Sequence, residues 1–364
     1  MKAMEVFDAF RDRRTVENLA GEIRKISKKS IVLMEVCGGH TMAIQKYGLP
    51  ALLPETVTLK SGPGCPVCVT SQSYINRAIA YCRLDDVILT TYGDLIRVPG
   101  SSSSLEKERA RGRDVRIVYS SLDALQIAKE HPDKKVVFLG VGFETTAPTT
   151  AATIIRADAD KISNFFVYSA HKVMPPVMGK LVDEGVKING YIAPGHVSTI
   201  TGSGIYKDIA GKYGLGCVVS GFEPVDILNS VLMLVKQFEA GEPKVEIEYT
   251  RAVLPEGNKK AQQLLYEVFE HRDDWWRGLD VIPKSGLGIR DKYASFDAEK
   301  KIEVEVEETK ENPGCICGEI LKGLKNPRQC KLFARGCDPS NPVGACMVSH
   351  EGACHAYYRY SSHG

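Results

Sequence analysis

The chain has 364 residues, which is enough for two or three domains with sizeable hydrophobic cores. Hydrophobic residues make up 43% and charged residues 25%, the balance of an ordinary globular protein. A net charge of +2 gives no indication of a nucleic-acid or membrane-surface partner. The longest apolar runs, such as residues 31–36 and 136–139, are far too short to cross a bilayer.

The first thirty residues show the spacing of an amphipathic helix and lack the apolar stretch of a secretion signal. We therefore expect a reducing, cytoplasmic compartment, where cysteine pairs are more often metal-binding or redox-active than structural. This expectation matters because six of the eleven cysteines fall in the last fifty residues.

Short β-branched runs alternate with helical patterns through the middle of the chain. The runs are residues 31–36, 57–60, 87–91, 115–119, 136–139, 165–168, 190–193 and 217–219. The last four each follow a counterpart by about a hundred residues, which suggests a duplication. The pattern predicts an α/β fold with two similar parallel-sheet domains. Ligands bind at the carboxyl ends of such strands, so both halves could present loops to one shared cleft.

A third α/β domain is predicted from the two ends of the chain. The predicted domains are residues 30–125, residues 126–245, and residues 1–29 combined with 246–364. Within the third, residues 258–271 have a helical pattern, and residues 300–311 alternate apolar and acidic side chains like a half-exposed strand. The cysteine-rich end follows.

The six C-terminal cysteines follow the pattern C-x-C-x12-C-x6-C-x8-C-x7-C. Zinc sites usually show paired C-x2–4-C knuckles, which are missing here, whereas iron–sulfur clusters tolerate irregular spacing. A [4Fe–4S] cluster takes four thiolates and would leave two cysteines as a reversible redox pair. The spacing favours a cluster but leaves zinc or a plain set of thiols open, and it does not select the ligands.

Two thiol motifs follow predicted strands in the N-terminal half. Cys37 precedes two glycines and lies three residues from His40, so the thiol and imidazole suit a soft metal or mutual activation. A buried strand-end cysteine beside a turn histidine is the alternative. Cys65 and Cys68 form a C-x-x-C pair typical of an exchangeable disulfide, with half of a zinc site as the competing interpretation.

Other polar residues follow the predicted strands and are weaker candidates. They are Asp94, Arg97, Glu144, Thr145, His171, Lys172 and His196. The segment 140–145 has Thr145 where a dinucleotide fingerprint needs its third glycine, so a Rossmann cofactor is not expected.

Taken together, these motifs closely resemble the HypD family, whose members are scaffolds for building the active-site iron of [NiFe]-hydrogenases. The matching segments are Cys37–Thr41 (CGGHT), Gly62–Cys68 (GPGCPVC), Gly142–Pro148 (GFETTAP), Ala193–His196 (APGH) and the six-cysteine end. The resemblance runs from about residue 5 to the C-terminus and keeps the motif order.

The resemblance implies a [4Fe–4S] cluster and a set of redox thiols. Its cluster ligands would be Cys315, Cys330, Cys337 and Cys354. Cys317 and Cys346 would form a redox-active pair, and Cys65 and Cys68 would relay electrons from that pair towards the iron.

The resemblance also implies partners and a cargo. Together with the small chaperone HypC, the chain would hold one iron that receives two cyanides and one carbon monoxide, an Fe(CN)2CO centre. HypE would supply the cyanide, and the finished iron would pass to the hydrogenase large subunit. Cys37 would bind the iron, with His40 beside it.

Two other functions share these thiol motifs. One is an enzyme, a thioredoxin-like disulfide reductase with a cluster as electron donor, which would not need the Cys37–His40 motif. The other is a zinc-stabilised interaction protein without redox chemistry.

Overall fold

The computed structural model describes residues 9–361. Its strands are β1 Ile31–Glu35, β2 Val57–Ser61, β3 Val87–Thr91, β4 Val115–Ile117, β5 Lys135–Gly142, β6 Phe165–His171, β7 Gly190–Pro194, β8 Gly216–Ser220, β9 Val245–Ile247, β10 Phe269–Trp276 and β11 Asp280–Ile289. The first eight confirm the eight predicted strands, with small differences at their ends. The amphipathic helix expected near the N-terminus is present from Arg13 to Ile26, and residues 1–8 lie outside the described part.

The helices separate the strands and cover the sheets. They are α1 Arg13–Ile26, α2 Gly38–Lys46, α3 Pro66–Val69, α4 Gln72–Cys82, α5 Leu105–Ala110, α6 Ser121–Glu130, α7 Ala147–Ala159, α8 Met174–Asp183, α9 Gly195–Thr201, α10 Lys207–Tyr213, α11 Pro224–Ala240, α12 Lys259–Val268, α13 Ala298–Lys301, α14 Cys317–Leu321, α15 Ala345–Val348 and α16 Ala353–Tyr360. Short 3-10 turns occur at Leu49–Leu52, Gly93–Arg97, Gly204–Tyr206, Asp291–Phe296 and Pro327–Gln329.

Two parallel sheets form the centre of the fold. One has the order β2-β1-β7-β8-β9 and the other β4-β3-β5-β6. Strands β3 and β8 are buried along their whole length, as expected when helices cover both faces of a parallel sheet. The α/β fold class is thus confirmed.

The sheets divide the chain differently from the predicted domains. Strand β1 pairs with β7, and β3 pairs with β5, so each sheet takes strands from both sides of the predicted 125/126 boundary. If β1–β4 correspond to β5–β8, the order β4-β3-β5-β6 becomes β8-β7-β1-β2, which is the order of the other sheet. The topology is therefore compatible with a duplication whose two halves are exchanged between the sheets. Strand pairing of this kind connects distant residues and is not visible in local sequence patterns.

Helix α1 belongs with the five-stranded sheet rather than with the cysteine-rich end. Its fully buried Ile23 belongs to the same hydrophobic cluster as Val231 and Val235 of α11. Burial of one such isoleucine is worth about 1.5–3 kcal/mol. The Glu22 carboxylate also pairs with Lys236 at 3.1 Å. These contacts separate residues 13–26 from the C-terminal segment with which they were grouped.

The predicted strand at residues 300–311 is wrong. Residues 303–312 form no helix or strand and run along the loop before α5 instead. There the Glu307 carboxylate accepts hydrogen bonds from the Ser102 amide (3.1 Å) and hydroxyl (2.7 Å). The apolar and acidic residues alternate in an extended segment that is held by side-chain hydrogen bonds. Alternation with a period of two does not distinguish such a segment from a strand in a sheet.

Candidate functional site

A cleft of about 760 Å³ opens where the carboxyl ends of the two sheets meet. Its lining includes Val36 and Cys37 after β1, Gly64, Pro66 and Val67 after β2, Tyr92–Leu95 after β3, the Gly142–Thr146 region after β5, and Pro194–Val197 after β7. The shared cleft predicted from the sequence is therefore present. Ser349 and Glu351 of the cysteine-rich end form part of the same wall.

Cys37 lies at the N-terminus of α2 and is 8% exposed at the cleft wall. The loop after β2 packs against it backbone to backbone, because the Gly38 amide donates to the Gly64 carbonyl at 3.2 Å. A Cβ on Gly64 would lie 2.1 Å from the Cys37 nitrogen, so only glycine allows this approach. The loop of Cys37 and the loop of Cys65 are therefore held in close contact.

Two carboxyl groups flank the Cys37 thiol. Glu35 Oε2 accepts the Cys37 amide at 3.2 Å, and Glu351 packs against Gly38. Burial raises the pKa of Cys37, and the charges of Glu351 and Glu35 raise it further. Burial also raises the pKa of Glu35 to about 8. A metal cation that binds the Cys37 thiolate would favour the ionised forms of the thiol and of both carboxyl groups, because the cation compensates their negative charge.

His196 lines the cleft, whereas His40 does not. His40 is fully buried, and its Nε2 lies 2.9 Å from the Gly221 carbonyl oxygen and 3.3 Å from that of Ser220. Burial lowers the pKa of His40 to about 4. His40 does not line the cleft, and its Nδ1 has no hydrogen-bond partner among the described residues, so its ligand role stays a prediction.

Cys65 and Cys68 form a disulfide across the first turn of α3, with Cα atoms 5.2 Å apart. Both residues are buried, and the neighbouring Gly64, Pro66 and Val67 line the cleft. On the other side, the Cys68 sulfur lies 3.9 Å from the carbonyl oxygen of Ala345, the residue before Cys346. The pair therefore lies between the Cys37 loop and the cysteine-rich end.

The six C-terminal thiols line one small, largely apolar cavity. The Cys317 thiol is hydrogen-bonded to those of Cys315 and Cys346. Burial raises the pKa of Cys354, and the neighbouring charges of Cys317, Cys315, Cys337 and Cys330 add to the increase. Six converging thiols in one dry cavity match the donor chemistry of an iron–sulfur cluster.

Glycine makes room at this cavity. A Cβ on Gly344 would lie 2.7 Å from the Cys315 sulfur. Between residues 9 and 361, no three His, Cys, Asp or Glu side chains stand in a ready-made metal-binding arrangement. The residues therefore fit a cluster by donor type and convergence, while the ligand set implied by the family resemblance stays a prediction.

Arg277 connects the disulfide loop to the cysteine-rich end. It lies in the turn between β10 and β11, and its side chain is 9% exposed. The guanidinium donates to the Cys68 carbonyl (3.2 Å), the Thr70 carbonyl (3.0 Å) and the Glu311 carboxylate (2.7 Å). A guanidinium with three buried or partly buried acceptors fixes the relative position of the segments it joins.

The remaining candidates separate into cleft residues and structural residues. Asp94 lines the cleft and accepts the Ser349 hydroxyl at 2.9 Å. Arg97 donates to the carbonyls of Pro339 and Val348 and so holds the cysteine-rich segment. Thr145 lines the cleft.

His171 and Lys172 do not reach the cleft. His171 ends β6 fully buried, with Nδ1 3.1 Å from the Ser169 hydroxyl oxygen. Lys172 donates to the Asp274 carboxylate and the Trp275 carbonyl, both at 2.9 Å. Strand β6 is longer than predicted and includes His171, and Lys172 directly after it forms an isolated antiparallel bridge with Gly286.

Glu144 is a buried carboxyl group beside the cleft. Its Oε1 accepts the Met174 amide at 3.0 Å, and Oε2 has no hydrogen-bond partner among the described residues. Burial raises the pKa of Glu144 to about 7. The Met174 bond caps α8, whose next two residues, Pro175 and Pro176, have no amide hydrogen.

Glu144 is expected to make the protein less stable at alkaline pH. The pKa of Glu144 is about 7 in the folded state and 4.5 ordinarily. The contribution of Glu144 to the free energy of unfolding is therefore greatest below pH 4.5 and falls as the pH rises to 7. The loss is at most about 3 kcal/mol. Glu144→Gln keeps an acceptor for Met174 and should remove this part of the pH dependence. Urea unfolding at pH 5 and pH 8 measures it, with Glu106→Gln on the surface as control. Equal pH dependence of Glu144→Gln and wild type would contradict the assignment.

The comparison with known proteins agrees with the cysteine pattern. The family model described as "HypD: Hydrogenase formation hypA family" matches residues 14–361. The chain belongs to the HypD family.

Relatives named hydrogenase maturation factor HypD align with this chain over almost its full length. The one from Azotobacter vinelandii is 46% identical over 98% of this chain and 97% of its own length. HypD2 of Bradyrhizobium diazoefficiens is 44% identical over 98% and 97%. The one from Escherichia coli K12 is 44% identical over 99% and 95%.

The HypD motifs include many of the cleft residues but not Glu351. They also do not include Arg277, which lies beside the disulfide loop and not in the cleft. Glu351 lies between Cys346 and Cys354 in CMVSHEGAC, where nothing local marks it as a cleft residue. No helix between residues 9 and 361 combines the length and apolar character that a membrane crossing requires.

Proposed function

We propose that this HypD family member is a redox-active cytoplasmic scaffold on which the iron centre of a [NiFe]-hydrogenase is assembled. The observation that carries the proposal is the position of the Cys65–Cys68 disulfide. Its loop contacts the loop of the cleft thiol Cys37 through the Gly38–Gly64 hydrogen bond, and the Cys68 sulfur lies 3.9 Å from the Ala345 carbonyl oxygen beside the six-thiol cavity. Such an order supports electron delivery from the cavity to the cleft.

Cys37 is the proposed ligand for the iron that is the cargo of the scaffold. A thiolate suits low-spin iron carrying cyanide and carbon monoxide. The cleft of about 760 Å³ leaves room for diatomic ligands and for a donor residue from HypC. Ionisation of Glu35 and Glu351 would stabilise the cation at this position, because their negative charge and that of the thiolate are compensated by the metal.

The Cys65–Cys68 pair is the proposed two-electron donor. Release of cyanide from a protein-bound thiocyanate on HypE takes two electrons and gives a thiolate and cyanide. The dithiol form of Cys65–Cys68 supplies both electrons when it closes to the disulfide, and its two protons are released. Reduction by the Cys317–Cys346 pair would reopen it by thiol–disulfide exchange. A [4Fe–4S] cluster on Cys315, Cys330, Cys337 and Cys354 would supply electrons one at a time.

The partners follow from the same proposal. HypC would share the iron at the cleft, HypE would approach with the thiocyanate, and the hydrogenase large subunit would receive the finished centre. A simple disulfide reductase would have no use for the acidic, glycine-lined Cys37 wall, so the scaffold is the better account.

Anaerobic purification tests the redox half of the proposal. We expect brown protein with about four iron and four sulfide per chain and a reduced-cluster signal in electron paramagnetic resonance. Cys330→Ala should lose the signal, and Cys82→Ala should keep it, since Cys82 lies buried in α4, outside the thiol cavity. Colourless, zinc-loaded protein would overturn the cluster and favour an interaction module.

A further inference from the structure

Two histidines that follow neighbouring strands of the five-stranded sheet stack on the same phenylalanine. The ring of Phe222 lies 4.0 Å from the ring of His196 and 4.6 Å from that of His40, with interplanar angles of 24° and 22°. Phe222 follows β8, His40 lies in α2 after β1, and His196 lies in α9 after β7. The stack therefore joins three neighbouring strand ends of one sheet.

Each histidine follows a glycine that lets the phenylalanine ring approach. A Cβ on Gly39 would lie 3.0 Å from Phe222 Cδ1, and a Cβ on Gly195 would lie 3.3 Å from Phe222 Cε2. Both distances are tighter than ordinary contacts, so a larger residue at either position would push on the ring. The repeated Gly-His dipeptide thus forms two sides of one slot for Phe222.

The two histidines have different surroundings. The carbonyls of Gly221 and Ser220 fix His40, which has no access to the cleft. His196 lines the cleft together with Cys37. His40 is therefore the fixed side of the stack, and His196 is the side that faces a bound ligand.

The loop that carries Phe222 is held from behind. Val225 donates its amide to the Phe10 carbonyl at 3.2 Å, and the Arg11 guanidinium pairs with Glu223 at 2.5 Å. Tyr249 meets the Phe222 ring edge-on at 6.0 Å. These contacts restrict the ring, so His196 stacks on a surface that does not move freely.

We propose that Phe222 is a positioning residue that fixes the imidazole of His196 at the cleft wall, so that a ring nitrogen is presented to whatever Cys37 holds. Stacking on an aromatic face restricts the imidazole to rotation in its own plane. A cleft group held in one orientation loses less entropy when a ligand binds, and a misplacement of about 1 Å can cost about a hundredfold in rate. The functional part of this proposal rests on the proposed iron scaffold, but the stack itself does not.

Nuclear magnetic resonance of histidine side chains tests the stack without any partner or metal. The chain has eight histidines, so [13C]-ε1 labelling gives a countable spectrum in which His196→Gln identifies one signal. We expect the His196 proton to be shifted upfield by the Phe222 ring, to lose that shift in Phe222→Leu and to keep it in Phe222→Tyr. The control Phe238→Leu replaces a different phenylalanine, which lies on α11, and should leave the His196 signal unchanged.

Two outcomes would overturn the positioning role. A His196 signal without an upfield shift in wild type would do so even if Phe222→Leu fails to fold, and so would a signal that Phe222→Leu does not move.

Iron retention in the complex with HypC then tests the function. We expect Phe222→Leu to retain about tenfold less iron and Phe222→Tyr to retain the wild-type amount. If Phe222→Leu moves the His196 signal yet retains all its iron, the role at the cleft is overturned. If wild type retains no iron, the scaffold proposal fails, while the spectra still decide whether Phe222 positions His196.

Discussion

Replacement of Cys37 with alanine is expected to abolish iron retention while the fold and the C-terminal thiol site persist. Cys37 is the one thiol whose own atoms line the cleft among residues 9–361. Its side chain makes no hydrogen bond that caps α2, so truncation leaves the helix start intact. Loss of one small buried group costs stability of about 1 kcal/mol, which a folded domain tolerates.

Iron content and the infrared bands of cyanide and carbon monoxide measure this effect in the complex with HypC. Cys217→Ala is the matched control, because Cys217 is equally buried in β8 and does not line the cleft. Full cyanide and carbonyl bands in Cys37→Ala would refute the ligand role, and their loss in Cys217→Ala would point to general instability.

Replacement of Cys68 with serine is expected to stop maturation while the cluster absorbance stays intact. Serine cannot close a disulfide with Cys65, so the proposed pair can no longer deliver two electrons. Cys68 does not line the C-terminal thiol cavity, although its sulfur lies 3.9 Å from the Ala345 carbonyl oxygen. The cavity therefore keeps all six of its thiols.

Hydrogenase activity in a strain whose own gene is replaced by the variant measures the effect, and we expect a fall to background. Cys82→Ser controls for the cost of burying a hydroxyl, about 1–3 kcal/mol, because Cys82 is equally buried in the neighbouring helix. Normal activity of Cys68→Ser would discard the relay.

Local patterns predicted the strands and the loop chemistry well. Runs such as residues 87–91 are apolar and β-branched because both faces of the strand are covered, and this property is visible in a short window. The rule that ligands meet parallel strands at their carboxyl ends then placed Cys37, Cys65 and Asp94 on the same side of the molecule. The structure agrees with each of these placements.

Long-range pairing was not predictable in the same way. The β1–β7 and β3–β5 pairs join residues far apart in the chain, so each sheet contains strands from both predicted sheet domains. The spacing of three between Cys37 and His40 predicted proximity, yet the start of α2 turns the imidazole towards the loop of Phe222. Arg277 and Glu351 depend entirely on tertiary packing, and a single sequence carries no local mark of either.

The infrared spectrum of the anaerobically isolated complex with HypC tests the central claim most directly. The account predicts bands of cyanide and carbon monoxide on one iron in wild type, with loss of these bands in Cys37→Ala but not in Cys217→Ala. A complex that carries its full complement of C-terminal iron and sulfide but shows no such bands would contradict it.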